Sequence, residues 1–317
     1  MTRIFLCLLF TTVVSSAVAD TTTLVRDAEQ AFQASRIVCS GISDEIAKVA
    51  NLSRANTAIS VAGTVTAGGA LVAGVKKNKI EEEIDQIITE MCNNGGCTSE
   101  EVAQMDDEQF FEEVIKPMSR LYELQQKLEE SQKAGNWRTG LMAGTIGTNL
   151  ASAIISGLNI DQSELQQHIT ACNESIALAA AAEQKLKMAG VNPIENPVLK
   201  KLDDLKTWCT QIDTNDVEKI EKRMKGVLGT SVAGTVFGAV GTGTSVVANS
   251  DKYMDTTNRV RLSDEDKKKV KNLNTTSNVM AGANVATGAV ETGLNISLIT
   301  LAKKLIANAE RCEQVFE

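Results

Sequence analysis

The chain has 317 residues, a formal charge of −8, 3% aromatic residues and only three prolines. This length is enough for one or two domains with cores of their own. The acidic charge, together with the lack of a basic stripe interleaved with aromatics, disfavours nucleic acid as a partner. Few aromatic and turn residues argue against sandwiches and barrels, so the composition favours an all-α protein.

Residues 1–19 have the features of a secretory signal peptide. Arg3 precedes an apolar run over 4–14, and Ala17, Val18 and Ala19 fit an A-x-A cleavage site. A first transmembrane helix is the alternative, but the run is too short to span about 30 Å. We therefore expect export, either to a periplasm or to the medium, and loss of Arg3 takes the formal charge from −8 to −9.

Six cysteines remain in the expected mature chain once Cys7 is removed, and an even number in an exported protein indicates disulfides. They are Cys39, Cys92, Cys97, Cys172, Cys209 and Cys312. A metal site is disfavoured, because Cys92 and Cys97 have no second cysteine pair near them and His168 is the only histidine. No metal and no cofactor is expected.

Four long segments of the chain are uncharged or nearly so, and their sequences echo one another in pairs. The segments are 55–75, 139–160, 226–250 and 272–302, the last interrupted by Glu291. SVAGTV occurs at 60–65 and 231–236, and MAG followed by GLNI occurs at 142–160 and again at 280–296. This order predicts a duplicated helical hairpin. The predicted repeats are 20–190, with an extra turn over 78–108 that carries Cys92 and Cys97, and 191–317.

Apolar residues at steps of three and four flank these segments, which is the spacing of a coiled-coil seam. Four cysteines lie on that seam, and antiparallel packing would bring them within about 10 Å of one another along the helix axes. Two pairings fit: Cys39–Cys172 with Cys209–Cys312, or Cys172–Cys209 with Cys39–Cys312. The first is favoured, because a single ancestral hairpin could close on itself. Cys92 and Cys97 would then pair locally.

The midpoints between successive segments fall close to residues 107, 194 and 262, on sequence typical of turns. SDED at 263–266 is also a helix-start signal. We therefore predict an all-α fold: an antiparallel up-down-up-down bundle of four long helices, built from the duplicated hairpin, with middles rich in Gly, Ala, Ser and Thr.

Small residues recur at steps of four inside the uncharged segments, as in a glycine zipper, and predict ridges along which helix backbones approach closely. A glycine inside a helix costs about 1 kcal/mol relative to alanine, so these glycines require a compensating contact. The predicted packing residues are Ala62, Thr66, Ala70, Gly74, Gly140, Gly144, Thr148, Ser152, Gly226, Thr230, Gly234 and Gly238.

The uncharged segments are long enough to cross a membrane, and Arg54, Lys76 and Lys77 flank the first one like interfacial anchors. The average hydrophobicity argues against insertion. Six strongly apolar side chains in the first segment contribute roughly 3 kcal/mol, which its polar residues and glycines oppose. Glu291 would also lie within the fourth span. A soluble bundle is therefore favoured, with a membrane-embedded bundle as the alternative.

No catalytic constellation is evident, and we expect the protein not to be an enzyme. His168 is the only histidine and lies in a predicted helix, where such a residue is usually on the surface or hydrogen-bonded to a neighbouring residue. Acidic runs such as 81–83 are typical of solvated helix faces. Two functions remain. The first is an exported structural or interaction protein, a disulfide-locked bundle that binds a protein partner or itself. The second is a membrane-active protein whose small-residue helices insert or oligomerise in a bilayer.

Overall fold

The computed structural model describes residues 21–95, 101, 105–109, 120–158, 163–192, 196–209 and 212–317. These residues are almost entirely helical and contain no strand, which confirms the all-α prediction. Seven helices in the described ranges have thirteen residues or more: α1 Thr21–Cys39, α2 Ile42–Gly95, α3 Leu121–Leu158, α4 Ser163–Met188, α5 Pro197–Cys209, α6 Thr214–Ala248 and α7 Asp264–Gln314. Short helical segments cover Asp107–Gln109, Asp251–Met254 and Thr256–Val260.

Two helix starts use the turn chemistry that the sequence predicts. Before α7, the hydroxyl of Ser263 accepts a hydrogen bond from the backbone N–H of Asp266 at 3.2 Å. Before α5, the side chain of Asn196 accepts from the backbone N–H of Val198 at 3.0 Å, and Pro197 occupies the first helical position. These side chains satisfy N–H groups that have no partner inside the helix.

The chain is divided more finely than the four long helices we expected. Gly41, with a φ of 84°, separates α1 from α2, and Gly190, with a φ of 78°, follows α4. Between α5 and α6, the carboxylate of Asp213 accepts from the backbone N–H of Asn215 at 2.8 Å and starts a new helix. The seam pattern continues across these breaks, so hydrophobic periodicity alone did not reveal them.

The helices belong to two compact units, and each unit takes segments from both predicted repeats. The first contains the described residues of Met1–Ala47, Ser163–Val217 and Lys304–Glu317. The second contains those of Lys48–Gln162 and Glu218–Lys303.

The first unit has a conventional apolar core, crossed by two disulfides. The core contains Phe32, Ile46, Ile169, Leu202 and Leu305, each no more than 4% exposed. Bonds join Cys39 to Cys172 and Cys209 to Cys312, which is the pairing that the sequence favours. Cys97 and the side chain of Cys92 lie outside the described residues.

The second unit changes character along its length. Beyond the uncharged segments, an apolar cluster packs between α2, α3 and the short helix Thr256–Val260. Its members are Ile80, Ile84, Ile87, Ile88, Met91, Leu124, Leu128, Ala134 and Val260. Within the uncharged segments, many of the buried side chains are instead small or polar.

Candidate functional site

A seam of small and polar side chains is buried along the uncharged segments of the second unit. In each of α2, α3, α6 and α7 the buried positions alternate at steps of three and four. The members of this interior seam are Asn56, Ser60, Gly63, Ala67, Ala70, Gly74, Met142, Thr145, Asn149, Ser152, Ser156, Val227, Ser231, Gly234, Gly238, Gly241, Ser245, Ser277, Ala281, Asn284, Gly288, Glu291, Asn295 and Leu298. This is coiled-coil spacing without coiled-coil residues, since most of these side chains are not apolar.

Glycines let the four helices approach at the seam. A Cβ atom on Gly238 would lie 2.7 Å from Cγ1 of Ile146, and one on Gly63 would lie 2.7 Å from the hydroxyl of Thr148. Both distances are far below van der Waals contact, so alanine does not fit at either position unless the neighbouring side chain or its helix moves. Such close backbone approach is the compensating contact that the glycines require.

Glu291 lies near the middle of the α7 seam with only 1% of its surface exposed. Its carboxylate accepts hydrogen bonds from the hydroxyls of Ser60 and Ser152. Ser231 donates to Ser152 at 3.0 Å, and the amide of Asn295 reaches Ser60 at 3.5 Å. Residues from α2, α3, α6 and α7 therefore meet around one buried acidic group. Among the described residues, no Lys, Arg or His side chain forms an ion pair with it.

A small cavity of about 10 Å³ lies one layer away from this carboxylate. Its polar lining is Ser53, Asn56, Ser156 and Asn295, and its apolar lining includes Val227 and Leu298. The amide nitrogen of Asn56 donates to the hydroxyl of Ser156 at 2.8 Å, but Oδ1 of Asn56 is buried without a hydrogen-bond partner. An unsatisfied buried oxygen costs about 1 to 3 kcal/mol unless something binds it.

A second polar cluster, at the other end of the uncharged segments, holds buried charges. Lys77 is fully buried and lies 3.4 Å from the carboxylate of Glu81, which also pairs with Arg259 and accepts from Ser131 at 2.7 Å. Burial lowers the pKa of Lys77 to about 8, although the nearby charge of Glu81 opposes the shift.

Arg138 completes this charged cluster from α3. It is fully buried and donates to Asn274 at 2.8 Å and to Ser245 at 3.0 Å. Burial lowers its pKa to about 10. The expectation that Lys77 is an exposed interfacial anchor and that Glu81 lies on a solvated face is therefore wrong. Lys76, the neighbouring residue, is the exposed one.

The outer surface around the interior seam is apolar. In the ranges 55–75, 139–157, 226–247 and 276–299 every exposed residue is Ala, Gly, Val, Leu or Ile. We call these exposed residues the apolar belt. Its larger members are Val61, Val65, Val72, Val75, Leu150, Ile154, Val232, Val236, Val240, Val246, Val247, Val279, Val290 and Ile296, each between 42% and 71% exposed. Polar side chains thus lie inside this part of the unit and apolar ones outside.

Three stretches, Thr21–Met91, Pro197–Ala248 and Asp264–Gln314, are by length and composition able to cross a membrane. No more than 33% of the most apolar window in any of them is buried within the chain. Most residues of these windows are therefore not buried within the part of the chain that the structure describes.

The predicted packing ridges coincide with the interior seam only over part of their length. Ala70, Gly74, Ser152, Gly234 and Gly238 are buried. Thr66, Thr148, Gly226 and Thr230 are half-buried at its edge, whereas Ala62, Gly140 and Gly144 are exposed. No described atom lies within 4 Å of a Cβ placed on Gly140 or Gly144, so these two glycines pack against no other helix among the described residues.

His168 belongs to the first unit, and both of its ring nitrogens lie within hydrogen-bond distance of a partner. Its Nε2 lies 2.7 Å from the carbonyl of Val38 and its Nδ1 lies 3.2 Å from the carboxylate of Glu45. Across the described ranges no group of three or more His, Cys, Asp or Glu side chains is placed to hold a metal ion.

Comparison with known proteins gives no relative from which a role could be transferred. No family model, no curated protein and no solved structure matches this chain.

Proposed function

We propose that the protein is an exported, membrane-active protein whose second unit is embedded in a bilayer as a bundle of four helices. The spans would be 55–75, 139–157, 226–247 and 276–299. The observation that carries the proposal is the inverted polarity of these ranges, with Ser, Asn and Glu inside and Val, Leu and Ile outside. Water favours the opposite arrangement, which the first unit has.

The dimensions of the belt support a bilayer as its surroundings. At 1.5 Å per residue, the 21 residues of 55–75 extend over about 30 Å, which matches the hydrocarbon thickness of a membrane. Arg54 and Lys76 are exposed at the two ends of this range. Trp137, 70% exposed, lies two residues before the second range, where an aromatic side chain suits the membrane interface.

The interior seam has the composition of helix contacts in lipid. Without a hydrophobic driving force between helices, association depends on close packing of small residues and on hydrogen bonds between polar side chains. The contact of Gly238 with Ile146 is of the first kind, and the bonds of Ser60 and Ser152 to Glu291 are of the second. Polar residues lower the average hydrophobicity of each helix and so argue against insertion. In this arrangement they lie between the helices and are shielded from lipid.

The up-down-up-down order and the duplication are part of the proposal. Support comes from contacts in which one residue number rises as the other falls, as expected for antiparallel helices. Examples are Asn56–Ser156 and Thr66–Thr145 between α2 and α3, Ser231–Ser152 and Ser245–Arg138 between α6 and α3, Ser60–Glu291 and Lys77–Asn274 between α2 and α7, and Gly241–Ser277 and Gly226–Leu294 between α6 and α7.

The two copies of SVAGTV contribute equivalent positions to the seam. Ser60 and Ser231 are both buried, and each hydroxyl oxygen lies within 2.9 Å of the carbonyl oxygen four residues earlier. Each disulfide also lies within one predicted repeat. Export is included in the proposal because long-range disulfides persist in oxidising compartments.

A charge in the middle of the apolar belt tests the proposal. Val65→Lys and Val236→Lys each place an ammonium group near the centre of a span, where insertion costs about 2.5 to 3.5 kcal/mol more. Ile37→Lys is the matched control, because Ile37 is 74% exposed but belongs to the first unit. The measurement is the fraction of protein that resists carbonate extraction from membranes of expressing cells.

We expect wild type and Ile37→Lys to stay with the membranes, and Val65→Lys and Val236→Lys to be released. Wild-type protein that is extracted by carbonate, or that purifies without detergent as a single copy, would overturn the proposal. A detergent-free oligomer would instead mean that further copies of the chain cover the apolar belt.

A further inference from the structure

Among the residues that the structure describes, none supplies a compensating charge to the buried carboxylate of Glu291. Its partners Ser60 and Ser152 are neutral hydroxyls, and the buried cations of the unit belong to a different cluster around Glu81. A buried charge that is not paired is costly, so it either takes up a proton or acquires a counter-ion. The second unit contains a cavity in which such a counter-ion could bind.

This cavity lies beside Asn56. Asn295 lines it and lies four residues from Glu291, about 6 Å along α7. The hydroxyl of Ser60 contacts both Asn295 and the carboxylate, so it links the cavity wall to the buried charge. Oδ1 of Asn56 is an acceptor in this wall with no donor to satisfy it, in a residue only 3% exposed.

We propose that this cavity binds a small monovalent cation such as Na⁺, held by the side-chain oxygens of Asn56, Ser53, Ser156 and Asn295 and balanced by Glu291. Hard cations prefer amide, hydroxyl and carboxylate oxygens of this type. One carboxylate and neutral ligands match a single positive charge, whereas Ca²⁺ sites usually contain several carboxylates. The volume of about 10 Å³ holds one particle the size of a water molecule, which excludes a hydrated ion.

The proposal does not depend on the bilayer, because the cavity and its lining are internal to the second unit. Failure of the membrane proposal would leave it standing. Its test therefore uses thermal unfolding of the purified full chain, in detergent or in plain buffer, and not membrane association.

The probe is NaCl, exchanged against choline chloride at constant ionic strength. We expect the unfolding midpoint of wild type to rise by about 3 °C for each tenfold increase in Na⁺ above its dissociation constant. Asn56→Leu removes the unsatisfied oxygen, and Glu291→Gln removes the charge while keeping the hydrogen-bonding shape. Both variants should lose the response to Na⁺. Glu291→Gln keeps the experiment decisive if Asn56→Leu does not fold.

Asn149→Leu is the control, because Asn149 is also a buried seam residue but does not line the cavity. It should lower the midpoint in both salts and keep the response to Na⁺. An unchanged midpoint of wild type in Na⁺ would mean that water fills the cavity and would overturn the proposal. So would a response to Na⁺ that survives Glu291→Gln, because the carboxylate would then not balance the ion.

Discussion

The glycines of this chain differ in what surrounds them, although the sequence presents them alike. A step of four residues advances 400° around a helix, so a ridge at this spacing drifts by about 40° per step. Gly140 and Gly144 therefore lie on the exposed surface while Ser152, farther along the same ridge, is buried. Alternation of three and four drifts much less and follows the true seam. The residue types of the interior seam could be predicted from the sequence. Which positions belong to it could not, because steps of four had to be replaced by alternating steps of three and four.

This difference gives a matched pair of substitutions. Gly238→Ala brings a methyl group against Cγ1 of Ile146, a stiff β-branched side chain, so we expect a loss of about 1 to 3 kcal/mol in the free energy of unfolding. Gly144→Ala adds a methyl group in open space and should stabilise the helix by about 0.5 to 1 kcal/mol. Chemical denaturation of the purified variants measures both. Equal effects at the two positions would contradict the packing described for Gly238.

Lys77 and Lys76 are adjacent in sequence but have opposite environments. The pattern of buried residues over Ala70, Gly74, Lys77 and Glu81 continues the alternation of three and four, and this is the signal by which the buried pair could have been found. The charges of Lys77 and Glu81 predict the opposite, because a charged side chain in most proteins marks a solvated face.

Burial of Lys77 makes the stability of the protein depend on pH. Its pKa of about 8 in the folded chain lies below the ordinary value of 10.5, so the unfolded chain binds the proton more tightly between these two values. The free energy of unfolding should therefore rise as the pH increases from about 8 towards 9.5, by at most about 2 kcal/mol.

Lys77→Met should remove this rise, because no titrating ammonium group remains at the buried position. Lys76→Met, at a side chain that is 61% exposed, should keep it. Denaturation curves at a series of pH values provide the measurement. A rise that persists in Lys77→Met would assign the pH dependence to another group.

At the scale of helices, the turns were more predictable than the breaks. The turn before α5 and the start of α7 lie on Asn, Pro and Ser signals that act locally. Gly41 and Asp213 interrupt helices without disturbing the apolar periodicity around them. A prediction based on periodicity alone therefore places a continuous helix across each position. Height along the helices leaves two possible cysteine pairings, and closure within each predicted repeat favours the one that the structure has.

The two disulfides connect helices that are distant in sequence and should stabilise the first unit strongly. The linked cysteines are 133 and 103 residues apart, for which chain-entropy estimates give about 4 to 5 kcal/mol per bond. We expect Cys39→Ser with Cys172→Ser to lower the free energy of unfolding by about 2 to 5 kcal/mol, and the corresponding change at Cys209 and Cys312 to act similarly.

Non-reducing peptide mapping checks the pairing before stability is compared. Peptides that join Cys172 to Cys209 would contradict the arrangement, whatever the effect on stability. A double variant at Cys39 and Cys172 that unfolds like wild type would show that the bond constrains little of the unfolded chain.

For the whole molecule, one chain contains two opposite distributions of polarity. In the first unit Phe32, Ile169 and Leu202 are buried, whereas in the uncharged ranges of the second unit Asn56, Ser152 and Glu291 are buried. Sequence averages could not separate these cases, because Val on the outside and Ser on the inside give the same mean as the reverse. The fold class could be predicted from the composition. The candidate site could not, because it depends on which side of its helix each side chain occupies.

The interior seam has a consequence for the route by which these helices could enter a bilayer. A helix inserted alone would carry its Ser, Asn and Glu side chains into lipid, where each unsatisfied polar group costs several kcal/mol. Together, the helices hydrogen-bond most of these groups to one another, as the hydroxyls of Ser60 and Ser152 do to the carboxylate of Glu291. Entry one helix at a time, which suits strongly apolar spans, is therefore unfavourable here. Insertion as a preassembled group avoids that barrier, and its rate would depend on how the four helices first associate and not on the hydrophobicity of any one of them.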